Sequence, residues 1–115
     1  MNLETHVEGA VTVLAPAGRL DAFTVPPSTS ALEKVYASNP AQVVVNLTQV
    51  NFIDSTGLAA LVQGMKRCRD HRGDLRLCGL ASPVRIIFEL TRLDKAFEIF
   101  TDEAQAITSF TATTK

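Results

Sequence analysis

Near the start of the chain, apolar and polar positions alternate with a period of two. Thr5 and Val7, then Val11 and Val13, lie on either side of Glu8-Gly9. This predicts strands over 3–7 and 10–15 joined as a hairpin. Pro16-Ala17-Gly18 should break or bulge the second strand, and Leu20-Asp21 leads into a loop. The prolines between Thr24 and Pro27 suit the first turn of a helix. Ala31, Leu32, Val35 and Tyr36 follow at helical spacing, and Ser38-Asn39-Pro40 stops that helix. Val43-Val44-Val45 is a continuous β-branched run, which reads as a central strand buried on both faces and parallel to a neighbour. A short polar turn follows. Leu58, Leu61, Val62, Met65 and Cys68 then form one apolar stripe of a helix closing at Gly73. Leu75 to Cys78 is the next strand. Ser82 is the expected N-cap of a third helix, with Pro83 at its first position and Val84, Ile87, Phe88 and Thr91 facing inward. Phe97 to Phe100 is the last strand. Thr101 or Asp102 caps a final helix whose apolar face includes Ala106, Ile107 and Phe110, and 111–115 reads as a frayed end.

The resulting order, β-β-α-β-α-β-α-β-α, is that of an α/β domain: a mixed central β-sheet with an opening hairpin and about four α-helices. Its βαβ crossovers should be right-handed. At 115 residues the chain is expected to form one domain.

Composition narrows the function. Eleven Lys+Arg against twelve Asp+Glu give a net charge of −1, which argues against direct nucleic-acid binding. The basic run Lys66 to Arg72 falls inside a helical pattern and reads as a solvated face. Cys68 and Cys78 have no C-x-x-C spacing and no histidine pair beside them, so they read as reduced core thiols rather than zinc ligands. The first residues lack the basic start and apolar run of a signal peptide. No apolar stretch approaches the roughly 20 residues that span a bilayer. The expectation is a cytoplasmic protein with no membrane association.

The chemistry concentrates in Val43 to Leu61, where a buried strand leads through a turn to Asp54-Ser55-Thr56-Gly57-Leu58 at a helix start. Catalysis is not expected. A nucleophile elbow would need glycine two residues before Ser55, where Ile53 stands. His6 and His71 fall on an edge strand and a helix surface, away from Ser55 in the pattern. There is no phosphate-binding glycine loop and no histidine–carboxylate cluster for a metal, so no cofactor is expected. Paired-carboxylate chemistry from Asp21 and Asp54 is the weaker alternative to simple solvation. Asp54 or Ser55 at the N-cap would be worth about 1 kcal/mol by itself. A phosphate on Ser55 would also sit against the exposed N–H groups and the positive end of the helix dipole. The fold should therefore tolerate modification there.

The stretch V-V-V-N-L-T-Q-V-N-F-I-D-S-T-G-L-A-A-L resembles the STAS domain of bacterial anti-sigma factor antagonists. Gly18-Arg19-Leu20-Asp21, Leu75 to Leu80 and Phe88 to Phe97 resemble it too, in the family's order. The resemblance implies a STAS domain over 1–115. It also implies a function: binding an anti-sigma factor serine kinase when unphosphorylated and releasing it when Ser55 is phosphorylated, with a PP2C-type phosphatase resetting the switch. Ser55 would be the phosphoacceptor. Asp21, Asp54, Thr56, Gly57 and Leu58 would form the surface the partner reads, with Gly57 allowing its backbone to come close. A monomer or weak dimer is expected. Two other readings remain open: a non-phosphorylated scaffold or accessory subunit of a stress-signalling or transporter complex, and a small-ligand or nucleotide module at the same helix end. Two positions depart from the family's pattern. Asn46 stands where aspartate is usual, removing a charge expected near the switch. Arg92 stands where glycine is usual, at a left-handed cap.

Overall fold

The computed structural model describes residues 2–111. Strands β1 (Asn2–Glu8) and β2 (Val11–Leu20) form the expected hairpin, in register from Asn2↔Ala17 to Glu8↔Val11. Gly9 makes the turn with φ +63°, a value glycine adopts freely. Helix α1 (Thr29–Tyr36) follows a short 3-10 turn at Pro26–Ser28. Then come β3 (Gln42–Asn46), β4 (Val50–Ile53), α2 (Ser55–Asp70), β5 (Asp74–Cys78), α3 (Ser82–Leu90), β6 (Ile99–Phe100) and α4 (Glu103–Thr111). The sheet runs β1-β2-β3-β5-β6. Only β1–β2 is antiparallel; β3 is parallel to β2 and β5, and β6 is parallel to β5. The sheet is thus mixed, with helices linking its parallel strands, as the alternating pattern implied.

The β-branched triplet explains the layering. Val43 and Val45 point into the larger core, with Tyr36 of α1, Leu61, Met65 and Cys68 of α2, and Val84 and Phe88 of α3. Val44 points the other way, into a second cluster with Val11, Val13, Cys78, and Ala106 and Phe110 of α4. A strand covered on both faces must be apolar along its covered length, and the buried middle of β3, Val43 to Val45, is. Both cysteines are free and buried. Burial is the main cause that pushes the Cys68 thiol to about 12 and the Cys78 thiol to about 11, so both stay protonated at neutral pH.

Four local expectations need correction. The segment after β3 is not just a turn. Leu47–Gln49 turns, and Val50–Ile53 is a sixth strand, parallel to the far end of β2. It was hidden because its two middle residues, Asn51 and Phe52, face solvent. Strand β2 also does not end near Ala15. It leaves β3 after Leu14 and pairs with β4 from Gly18 on, its register with β4 shifting between Gly18 and Arg19, where Gly18 has φ +93°. At α3 the N-cap is Ala81, with Ser82 and Pro83 already inside the helix. Thr111 belongs to α4 rather than to a frayed end, and 112–115 lie outside the described residues.

Two helices end on arginine in the left-handed region, Arg72 after α2 (φ +65°) and Arg92 after α3 (φ +64°). At α2 the Gly73 and Arg72 N–H groups bond the Cys68 and Arg69 carbonyls, a Schellman closure with arginine where glycine is usual. Gly73 is needed for a different reason. A Cβ there would lie 1.9 Å from the Ala41 carbonyl oxygen. Neighbouring substitutions should therefore have opposite signs. Arg72→Gly and Arg92→Gly should each stabilise by about 1 kcal/mol by relieving a left-handed side chain. Gly73→Ala should cost about 1–3 kcal/mol through overpacking. Urea midpoints of the three variants measure this, and an unchanged midpoint for Gly73→Ala would contradict the close approach.

Candidate functional site at the start of helix α2

The site forms where β2 and β4 end side by side, at Leu20↔Ile53. Asp54 is the N-cap of α2, in extended backbone geometry, and its Oδ1 accepts the Gly57 N–H at 3.0 Å. Its second oxygen accepts the Ala22 N–H at 3.2 Å from the loop after β2. One carboxylate therefore closes the helix end and ties that end to a loop 32 residues earlier in the chain. Ser55 is the first helical residue, one position inside the cap, and its side chain is exposed.

The residues expected around Ser55 are brought together, but they do different work. Asp21 is only 4% exposed. Its Oδ1 accepts the Phe23 and Thr24 N–H groups at 3.0 Å, and its Oδ2 accepts Arg19 Nε at 2.8 Å. The Thr24 hydroxyl in turn accepts the Asp21 N–H. The Arg19 guanidinium, first, and these backbone N–H groups hold the Asp21 carboxyl below its ordinary value, against the opposing effect of burial. Gly57 is buried, and a Cβ there would lie 2.3 Å from the Leu20 carbonyl oxygen. The close approach it permits is thus to the protein's own strand β2. Leu58 is half-buried against the core. Thr56 is half-buried and lines a groove between α1 and α2, with Val25, Tyr36 and Gly64 deeper in and Arg67 further along.

Neither histidine serves Ser55. His71 donates from Nδ1 to the Arg67 carbonyl, and His6 lies 3.2 Å from Glu103. Among the described residues, no group of three or more His, Cys, Asp or Glu gathers as a metal site. No helix among them is long and apolar enough to cross a membrane. Asn46 turns toward α4, donating to Glu103 Oε1 at 2.9 Å and accepting the Thr48 N–H at 3.0 Å. Sequence reasoning missed Phe23. It stands 88% exposed on the turn built by Asp21, and its only signal was an aromatic inside an otherwise small and polar loop.

A sheet with an opening hairpin, helices on both faces and an acid-capped, serine-bearing helix end defines a recognisable class, and comparison with known proteins agrees. The STAS domain model matches residues 2–106, and the chain belongs to that family. The anti-sigma-B factor antagonist of Listeria monocytogenes is 36% identical over 83 residues, covering 72% of this chain and 73% of the relative. An anti-sigma factor antagonist from Mycobacterium paratuberculosis superimposes with TM-score 0.84 at 26% identity, over 94% of this chain and 92% of that one. The Bacillus cell fate determinant SpoIIAA, solved in its phosphorylated form, shares the fold with TM-score 0.73 at 18% identity, over 95% and 99% of the two chains.

The two aspartates should respond differently to mutation. Asp54→Ala removes the cap and the tie to Ala22 together and should cost about 1–2 kcal/mol in chemical denaturation. Asp21 has a lowered pKa, so its contribution is present above the ordinary carboxyl value of 3.8 and is lost as pH falls through the folded value. The stability gap between the wild type and Asp21→Asn should therefore stay constant from about pH 7 to about pH 5 and shrink below about pH 4. A gap that widens on acidification would contradict this assignment.

Proposed function

We propose that this protein is an anti-sigma factor antagonist switched by phosphorylation of Ser55. Unphosphorylated, it binds an anti-sigma factor that is itself a serine kinase, which frees a sigma factor for transcription. Phosphorylated, it lets the kinase go, and a PP2C-type phosphatase resets it. One observation carries this reading. At the start of α2 the side chain of Ser55 is exposed, while Asp54, Gly57 and Leu58 are committed to the cap, the strand contact and the core. A serine placed so, with no base beside it, is suited to receive a phosphoryl group rather than to start a reaction. The kinase supplies ATP and the base; this protein supplies an accessible hydroxyl on a rigid helix end.

The charge arithmetic explains the release. Phosphate adds roughly −1.5 to −2 charge directly beside the Asp54 carboxylate. The helix dipole and its N-terminal N–H groups stabilise that charge within the domain, so the fold survives modification. A partner surface matched to a neutral hydroxyl next to one carboxylate then meets a dianion. Unmatched like charge across an interface costs several kcal/mol. The anti-sigma-B factor antagonists among its relatives support this role, as does the existence of SpoIIAA in a phosphorylated form.

Incubation with the cognate kinase and ATP should add one phosphate, mapped to Ser55 by mass spectrometry, and Ser55→Ala should take up none. Ser55→Asp should bind the kinase at least roughly 100-fold more weakly than wild type by calorimetry, the scale expected of a like-charge clash. Normal phosphate uptake by Ser55→Ala would remove the site assignment, and wild-type affinity in Ser55→Asp would remove the charge mechanism.

A further inference from the structure

Phe23 is an apolar ring that the fold itself does not use. It is 88% exposed, while Val25, two residues on, is buried in the core. The turn that carries it is held by backbone groups, the Asp21 carboxylate and the Thr24 hydroxyl. Asp21 Oδ1 accepts the Phe23 and Thr24 N–H groups, the Asp21 carbonyl accepts the Val25 N–H at 3.0 Å, and the Thr24 hydroxyl accepts the Asp21 N–H. A polar side chain at position 23 would leave every one of these bonds intact. The turn is also locked to the switch. Ala22, next to Phe23, donates to Asp54, next to Ser55. The ring and the phosphoacceptor are therefore each one residue away from the two ends of the same hydrogen bond.

We propose that Phe23 is the apolar anchor by which the partner kinase grips this face, its ring filling an apolar pocket on the kinase beside the phosphoryl-donor site. This rests on the function proposed above and adds to it the residue that supplies affinity rather than the switch. Interfaces concentrate their binding energy in a few aromatic anchors that fill partner pockets, ringed by polar contacts. Here the polar neighbours tied to the turn are Asp54, bonded to Ala22, and Ser55 next to it. A turn ordered before contact lowers the entropic cost of association. The arrangement also separates two tasks. Phe23 provides a constant apolar grip, and the charge at Ser55 decides whether the polar rim permits it.

The test is calorimetric affinity for the cognate kinase, with phosphorylation kinetics, for wild type, Phe23→Ala, Phe23→Leu and Phe23→Gln. Val7→Ala is the control. Val7 is also exposed but pairs with Thr12 at the opposite end of β2 from Leu20. Phe23→Ala and Phe23→Gln should weaken binding by roughly tenfold or more. They should raise the KM for phosphorylation, leave kcat near wild type and keep the wild-type unfolding midpoint. Phe23→Leu should fall between them and wild type, and Val7→Ala should match wild type. If wild type binds and is phosphorylated on Ser55 but Phe23→Ala and Phe23→Gln bind within about twofold of it, the anchor is overturned and the switch stands. If wild type neither binds the kinase nor accepts phosphate, the proposed function falls and the anchor falls with it.

Discussion

The two-way hydrogen bonding of Asp54 is the constraint on which this face of the molecule depends. One oxygen closes the first turn of α2 on the Gly57 N–H, and the other holds Ala22. Around this carboxylate the backbone comes together tightly. The Asp54 N–H bonds the Leu20 carbonyl, and Gly57 leaves room for that same carbonyl to lie against the helix. Strand end, loop and helix start are thereby set as one unit, and Ser55 is presented from it. Asp21, which the sequence suggests as a surface carboxylate, is instead the internal brace of the loop.

A second acidic residue holds the far end of the same helix. Asp74, at the start of β5, accepts Arg69 of α2 at 2.9 Å and Arg76 of β5 at 3.1 Å. Arg76, on the α4 face of the sheet beside Val44, donates to Ser109 and stacks over Phe110 of α4 at 4.1 Å. Arg69 reaches on to the Ala96 carbonyl. Helix α2 is thus pinned at its start by Asp54 and at its end by Asp74. A helix held at both ends suits a switch that works by altering surface charge, without needing the helix to move.

Much of the fold was legible because its signals are periodic. The alternation around Glu8-Gly9 marks the hairpin, although only its β2 side, with Val11 and Val13, is buried and Thr5 and Val7 of β1 are exposed. The triplet at 43–45 and the stripe from Leu58 to Cys68 report burial on two faces and one, and the structure places them so. Strand β4 was illegible because four residues with a solvated middle make no periodic signal. The division of labour at the site was equally hidden. Asp21 and Asp54 look alike in sequence, and only tertiary pairing makes one an internal brace and the other a helix cap. Gly57 looked like a concession to a partner, yet the backbone it accommodates is that of Leu20. Phe23 was passed over because a lone aromatic in a loop carries no pattern, and its meaning comes only from the hydrogen bond joining Ala22 to Asp54.

Asn46 carries a consequence for how this sequence can drift. Its amide nitrogen donates a hydrogen bond to Glu103 while its amide oxygen accepts one from the Thr48 N–H, and Glu103 is further contacted by His6. An aspartate at 46 would keep the bond from Thr48 but set a carboxylate against the Glu103 carboxylate across the β3–α4 seam. The residue tolerated at 46 therefore depends on what stands at 103. An exchange of the amide for an acid is electrostatically easier where 103 carries a residue that can donate. The two positions are coupled through one hydrogen bond, although 57 residues separate them along the chain.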